Sequence, residues 1–452
     1  MTDALSPSCP PSPASARATC RRARLSRPCL HAGLLAAVGA LGLGACNDGE
    51  DERLAAAGGV ELVGGADGEG GAAGAGGAAG VSGAAAGATS AGAGGRAAGE
   101  EAGRGGAGGA GPLPTLEELE DGWNELRPGG DTVCGRGTQF SFFVARGTVE
   151  KVVIDFMGGG ACWDAVTCGE ANPLFIDAVD PFREVLHGGT LWGIGSFGGI
   201  YDRERSDNPL RDWHHVVIPY CTGDIHWGDA SQDYDGVAIE HRGAVNARAV
   251  LAWVYANFPA PEAILVTGCS AGALGSILWS ADVMRHYPDT QVIQFGDSEA
   301  GVITDEFYRD SFPRWNAEPA YPTFIPALAE PSGELRIEDF YVAIGAHFPT
   351  NFVSQFNSAF DNTQPLFFAV MGGGDAQAWS TEMQASLDAI AAATDNFAAF
   401  VPAGTLHCIL PRDELYTITA DGRPFLDWFD ELLTTGSVES ARCTTDCEAA
   451  AP

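Results

Sequence analysis

The sequence predicts an α/β fold, a mainly parallel central sheet with helices on both faces. Three observations carry that expectation. Short apolar runs, such as Ile264-Leu265-Val266 and His215 to Pro219, alternate with stretches of helical period. That is the pattern of parallel strands covered on both sides. One of these runs leads straight into Gly268-Cys269-Ser270-Ala271-Gly272, and a small-residue helical stretch follows. The chain has 452 residues, enough to close such a sheet within one large domain.

The first 45 residues read as an export signal rather than as fold. Arg17, Arg21, Arg22, Arg24 and Arg27 form a positive leader, and an apolar run from Leu34 to Leu43 follows, too short to span a bilayer. Leu43-Gly44-Ala45-Cys46 resembles a bacterial lipobox, which implies cleavage before Cys46 and a lipid on its thiol. Residues 46–112 are nearly all Gly, Ala and acidic residues without an aromatic, so they cannot bury enough apolar surface to fold. They read as a disordered tether to a membrane surface. Residues 113–448 form the folded domain, and 449–452 a short tail.

The formal net charge of −34 excludes nucleic acid as a partner, since phosphate binding needs a basic face. Loss of residues 1–45, with five arginines and one aspartate, takes the charge to about −38. Eight cysteines remain beyond Cys46, an even number that reads as disulfides in an exported chain. Cys162/Cys168 and Cys443/Cys447 are close enough for short loops, and neither pair has the histidine spacing of a zinc site.

From Leu113 onward the elements come in order. Thr115 begins a short capped helix. Gln139 to Ala145 and Glu150 to Phe156 read as two strands of a hairpin around Arg146-Gly147-Thr148. An irregular aromatic stretch runs to Asp212, then the strand at His215. A helix over Gly243 to Phe258 precedes the central run. Beyond it come a strand over Gln291 to Phe295, a Pro-rich insertion from Phe312 to Pro331, and a strand over Asn351 to Asn357. A helix over Thr381 to Ala393 and a strand over Asn396 to Val401 complete the pattern. This is an α/β-hydrolase arrangement, expected as a monomer.

Its chemistry starts at Ser270. G-x-S-x-G between strand and helix is the context of a nucleophile elbow, where small neighbours let the turn close. A serine nucleophile needs a histidine base and a carboxylate, in the chain order Ser, acid, His. His407, in a loop after the last strand, is the expected base. Asp361 and Asp375 compete for the acid, and position alone favours Asp361 only slightly. Gly158-Gly159-Gly160 after an early strand supplies the natural oxyanion hole, with donors expected from Gly160, Ala161 and Ala271. Losing one such donor costs about 3 kcal/mol of transition-state stabilisation. No metal or organic cofactor is required. Activity is expected to fall below about pH 6, as an ordinary histidine protonates.

Taken together the motifs resemble the pectin acetylesterase and Notum family of serine carboxylesterases over roughly Cys134 to Leu433. Gly158-Gly159-Gly160-Ala161-Cys162 is similar to the family's GGGWC, and Thr267 to Gly272 to its SGCSAG. Trp213 to Asp229 and Leu406-His407-Cys408 match in the same order, and Phe360-Asp361-Asn362-Thr363-Gln364 fits the pattern that holds the family acid. The resemblance therefore implies Asp361 as the acid. It also implies O-acetyl removal from a polysaccharide, or removal of a longer acyl chain as in Notum. A lipase or thioesterase, and a non-catalytic surface module on the same fold, are the rival functions. Ala161 departs from the family's tryptophan and Glu299 from its glycine after Asp297-Ser298. Trp163, Trp192 and Trp227 are offered either as sugar platforms or as core. The charge disfavours polyanionic pectin, so small or neutral acetylated glycans are the expected substrates of a lipoprotein at the cell surface or in the periplasm.

Overall fold

A nine-stranded sheet orders the described residues. The computed structural model describes residues 111–448 apart from 172, 191–194 and 332. The export signal, Cys46, most of the tether, Trp192 and the tail lie outside the described residues. The strands are β1 (Trp123–Leu126), β2 (Phe142–Ala145), β3 (Lys151–Phe156), β4 (His214–Ile218), β5 (Ala230–Tyr234), β6 (Val237–His241), β7 (Ala263–Cys269), β8 (Gln291–Asp297), β9 (Phe352–Phe356), β10 (Phe397–Val401), β11 (Thr419–Ala420), β12 (Arg423–Pro424) and β13 (Ala441–Arg442). The main sheet runs β1-β2-β4-β3-β7-β8-β9-β10-β13, while β5/β6 and β11/β12 are separate hairpins. From β4 to β13 the main sheet is parallel; only the β1/β2 and β2/β4 pairings are antiparallel. The α/β class and the mainly parallel sheet are as the sequence predicts.

Side-chain alternation divides the core between the two faces. Val152 and Ile154 of β3 join one buried cluster with helices Gly243–Asn257 and Ala271–His286. Val153 joins the other, beneath helix Phe425–Thr435. Successive residues of a strand point to opposite faces, so a strand buried on both must be apolar throughout. On the second face Phe425, Trp428 and Phe429 pack against Phe295, Phe356 and Phe400. Truncating a buried aromatic of this kind costs about 3–5 kcal/mol.

Four differences from expectation are instructive. The β2–β3 hairpin does not exist, because β4 lies between them: Phe143 pairs with Val217, and Asp155 pairs with Val217 from the other side. The amides of Thr148 and Val149 donate to the Asp212 carbonyl instead of closing a turn. A fully buried run such as β4 needs a neighbour on each edge, and that requirement overrides sequence proximity. The capped helix at Thr115 is a single 3₁₀ turn, Leu116–Glu118, in which the Glu118 carboxylate accepts the Thr115 amide at 2.8 Å. The helix expected from Thr381 starts earlier, at Ala376, where the Asp375 carboxylate caps the Ala378 amide at 3.0 Å. Helix Phe425–Thr435, whose apolar face seals the second core, is absent from the predicted elements.

The eight cysteines form four disulfides: Cys134–Cys221, Cys162–Cys168, Cys269–Cys408 and Cys443–Cys447. The two short-loop pairs are as expected. Among the described residues, the two groupings of cysteine and histidine tight enough for a metal use sulfurs already bonded to each other.

Candidate active site

β7 ends at Cys269 and the next helix starts at Ala271, so Ser270 occupies the single residue between them. Its φ is +56°, a conformation that a residue with a side chain adopts only under constraint. The constraint is visible on both sides. A Cβ on Gly268 or Gly272 would run into the backbone oxygen of Phe156, so only glycine lets the turn approach β3 this closely. The Ser270 amide donates to the Asp297 carbonyl at 2.8 Å, which ties the turn to the end of β8.

The glycine loop after β3 lies against this turn. A Cβ on Gly158 would come within 2.9 Å of the Ser270 Cβ. Gly160 has φ +79°, and there a Cβ would strike the Leu174 carbonyl. Of the three expected oxyanion donors, one is spent: the Ala161 amide donates to the Leu174 carbonyl at 3.0 Å. That removes Ala161 from the set, because an N–H closing an antiparallel bridge cannot also turn toward a substrate oxygen. The amides of Gly159 and Gly160 donate to nothing among the described residues. Ala271, as the first residue of its helix, has no carbonyl a turn behind it to receive its N–H.

A buried scaffold holds the loop from behind. His226 Nε2 donates to the Met157 carbonyl at 2.8 Å, just before the first glycine. Burial pushes its imidazole down to about 4, so the ring is neutral and serves as a hydrogen-bond donor. The Asp224 carboxylate accepts from the amides of His226 and Gly243, at 3.2 and 2.7 Å. Trp227 is fully buried with its indole N–H on the Leu274 carbonyl, and Trp163 is 6% exposed. Both belong to the core, which leaves them unavailable as sugar platforms.

His407 and Asp361 come together from loops 46 residues apart. His407 Nδ1 lies 2.9 Å from Asp361 Oδ2 and 3.1 Å from Oδ1. A carboxylate only accepts, so Nδ1 carries the proton and Nε2 is left as the acceptor. Asp361 is buried and oriented by three further donors: the Thr363 amide at 2.8 Å, the Gln364 amide at 2.9 Å and Gln364 Nε2 at 3.2 Å. Burial opposes a charge on His407, but Asp361 in contact, with Asp297 and Glu299 nearby, outweighs it and raises the imidazole above its ordinary value. Asp375, the rival acid, caps a helix.

The disulfide Cys269–Cys408 joins the chain neighbour of Ser270 to that of His407, with Cα atoms 5.6 Å apart. The same junction is reinforced from β8. The Asp297 carboxylate accepts from the amides of Ile409, at 2.9 Å, and Leu410, at 2.8 Å, while the Ser298 hydroxyl accepts the Cys408 amide at 2.8 Å. Burial pushes the Asp297 carboxyl up to about 6 in spite of those amides. Asp297 and Ser298 were not singled out as site residues by sequence reasoning. The available signals were their position just after a buried strand beside the serine and their resemblance to the family's D-S-G stretch.

Comparison with known proteins agrees over the first part of this site. The family model described as Pectinacetylesterase matches residues 129–309. Pectin acetylesterase 11 of Arabidopsis thaliana is 28% identical over 170 residues, 36% of this chain and 40% of that protein. Pectin acetylesterase 7 of Arabidopsis thaliana is 27% identical over 153 residues, 32% of this chain and 36% of that protein. The match thus spans about two-fifths of the length of these relatives. The family match includes the glycine loop and Ser270, while Asp361 and His407 lie beyond it. On these matches residues 129–309 are similar to the pectin acetylesterase family.

Proposed function

We propose that the chain is a serine carboxylic-ester hydrolase that removes O-acetyl groups from a glycan. The observation that carries this reading is the join between two halves of a site. Ser270 stands at a helix start in a constrained turn, and a disulfide links its neighbour to the loop that holds the His407–Asp361 pair. In this reading Ser270 Oγ attacks the acetyl carbonyl carbon and its proton passes to His407 Nε2. The amides of Gly160 and Ala271 receive the oxyanion. The bond to the sugar oxygen breaks, and His407 returns the proton to that oxygen. Water then attacks the acetyl-serine by the same route, releasing acetate and restoring Ser270. Asp361 accepts from Nδ1–H throughout.

The acetyl group and the glycan come from the relatives, whose names specify pectin acetylesterases. Four disulfides favour an oxidising compartment, in keeping with an exported lipoprotein anchored through Cys46.

The test compares wild type with Ser270→Ala on p-nitrophenyl acetate, on longer p-nitrophenyl esters and on an acetylated glycan. Loss of at least about a thousandfold in Ser270→Ala is expected, with acetate preferred over longer chains. Equal rates in the two proteins would leave only a binding module. A preference for long chains would turn the reading toward a lipase or a deacylase of fatty-acylated protein. The intact mass of the wild-type protein reads whether residues 1–45 are gone and Cys46 carries lipid.

A further inference from the structure

We propose that Glu299 is a third carboxyl group of the reaction centre and that it selects against an anionic sugar at the scissile ester. The inference rests on the esterase reading and names the substrate class of that same site.

Few residues reach solvent at the carboxyl edge of the sheet. Phe156 to Gly158, Thr267 to Cys269, Asp297 to Ser298 and Asn357 to Ala359 are all buried. Next to these runs Gly159, Gly160, Ser270, Glu299 and Phe360 are partly exposed, as is His407 in the loop after β10. Five of these belong to the glycine loop, the serine turn, and the turns carrying the acid and the base. Glu299 is the sixth, and the one acid among them.

Its backbone is pinned between both halves of the His407–Asp361 pair. On one side Ser298, at φ +62°, accepts the Cys408 amide through its hydroxyl. On the other the Ala300 amide donates to Gln364 Oε1 at 2.9 Å, and the Nε2 of that glutamine donates to Asp361. One carboxyl oxygen of Glu299 accepts the Gly301 amide at 3.0 Å. Among the described residues no lysine or arginine forms an ion pair with it.

The titratable groups that act on Glu299 are His407, from the loop after β10, and Asp361, from the turn after β9. Glu299 in turn acts on Tyr341 of helix Ile337–His347. Burial pushes the Glu299 carboxyl up to about 7, against the Gly301 amide and the His407 ring, so its charge changes within the working range of a histidine base. As an anion it repels a uronate carboxylate in the same cleft, and as a neutral acid it does not. At a separation of about 8 Å, with an effective dielectric between that of protein and water, one such repulsion changes relative rates about fivefold. Sugars without charge escape this term. The acidity of the whole chain acts in the same direction but does not titrate at one residue.

The test measures acetate release from two substrates of equal length, an acetylated xylo-oligosaccharide and an acetylated oligogalacturonide, between pH 5 and 9. The ratio of their kcat/KM values cancels the titration of His407, which both substrates share. In wild type the ratio is expected to swing about fivefold toward the neutral substrate as pH rises through about 7. In Glu299→Gln and Glu299→Gly the swing should disappear. A ratio that is flat with pH in an active wild type overturns the proposal without any variant. So does a swing that survives in both variants, which would assign it to the field of the chain as a whole. A wild type inactive on both substrates would instead count against the esterase reading itself.

Discussion

Two histidine–aspartate pairs sit on this sheet with the same 2.9 Å contact, His407–Asp361 and His215–Asp155. Their settings differ. Asp155 and His215 lie within adjacent strands β3 and β4, both almost fully buried. The carboxylate that receives His215 Nε2 also accepts the Tyr201 hydroxyl, and the His215 ring is flanked by Trp123 and Tyr201. The His215 side chain is only 2% exposed. His407 and Asp361 lie beyond the strand ends, and the His407 side chain keeps 13% of its surface exposed beside the Ser270 turn. The contact alone therefore says nothing about chemistry. What distinguishes the pairs is that one lies within the strands and the other beyond their ends, on loops where a proton can enter and leave.

The widest separation between the pairs should appear on replacing each aspartate. Asp361→Asn is expected to lower kcat by roughly 10³–10⁴-fold by losing the acceptor that fixes the His407 tautomer. Asp155→Asn should instead lower stability by about 3–5 kcal/mol, as breaking a buried pair does, with the activity of the folded fraction kept within a few-fold. Kinetics normalised to folded protein, beside urea unfolding of both variants, checks the contrast. Similar activity losses in the two would erase it.

A smaller effect is expected from the junction that only the first pair possesses. Replacing both Cys269 and Cys408 by serine removes a link across 139 residues of chain. Stability should fall by about 2–4 kcal/mol, and kcat by about tenfold as the His407 loop loses its register with Ser270. Unchanged turnover per folded molecule would show that the β8 contacts alone hold the loop.

The smallest effect is on pH. In the proposed mechanism His407 accepts a proton only when neutral, and its pKa is raised, so the acid limb of kcat/KM should centre above the ordinary value of about 6.5. The expectation of a fall below about pH 6 is thereby moved upward. The sign for stability is the reverse. A group whose folded pKa is raised adds stability below its unfolded value and loses it as pH rises through the folded one. Activity and this increment of stability should thus move in opposite directions across that limb. Parallel pH series of rate and Tm would check this, and an acid limb at or below 6.5 would contradict it.

The pairs also show what a sequence discloses. Ser270 was legible because its requirements are local: a strand, a helix and small residues two positions away on each side. The buried strands were legible because burial on both faces demands continuous apolar runs. Position favoured Asp361 over Asp375 only slightly, since a histidine's partner is chosen by what it meets 46 residues away; the stronger signal was the family pattern around Asp361. The same non-locality hid the insertion of β4 between β2 and β3. Ala161 read as an oxyanion donor because nothing in the chain shows that Leu174 claims its amide. Asp297 and Glu299 read only as part of a D-S-G-like stretch after a strand, though Asp297 anchors the His407 loop.

The Cys269–Cys408 link also bears on timing. It closes only where thiols can be oxidised, and it joins a residue of β7 to one that emerges from the ribosome 139 residues later. A chain kept reduced holds the Ser270 turn and the His407 loop without the covalent link between their neighbours. Under the proposed function the chain thus carries its own delay, since ester hydrolysis would await oxidation of this one pair.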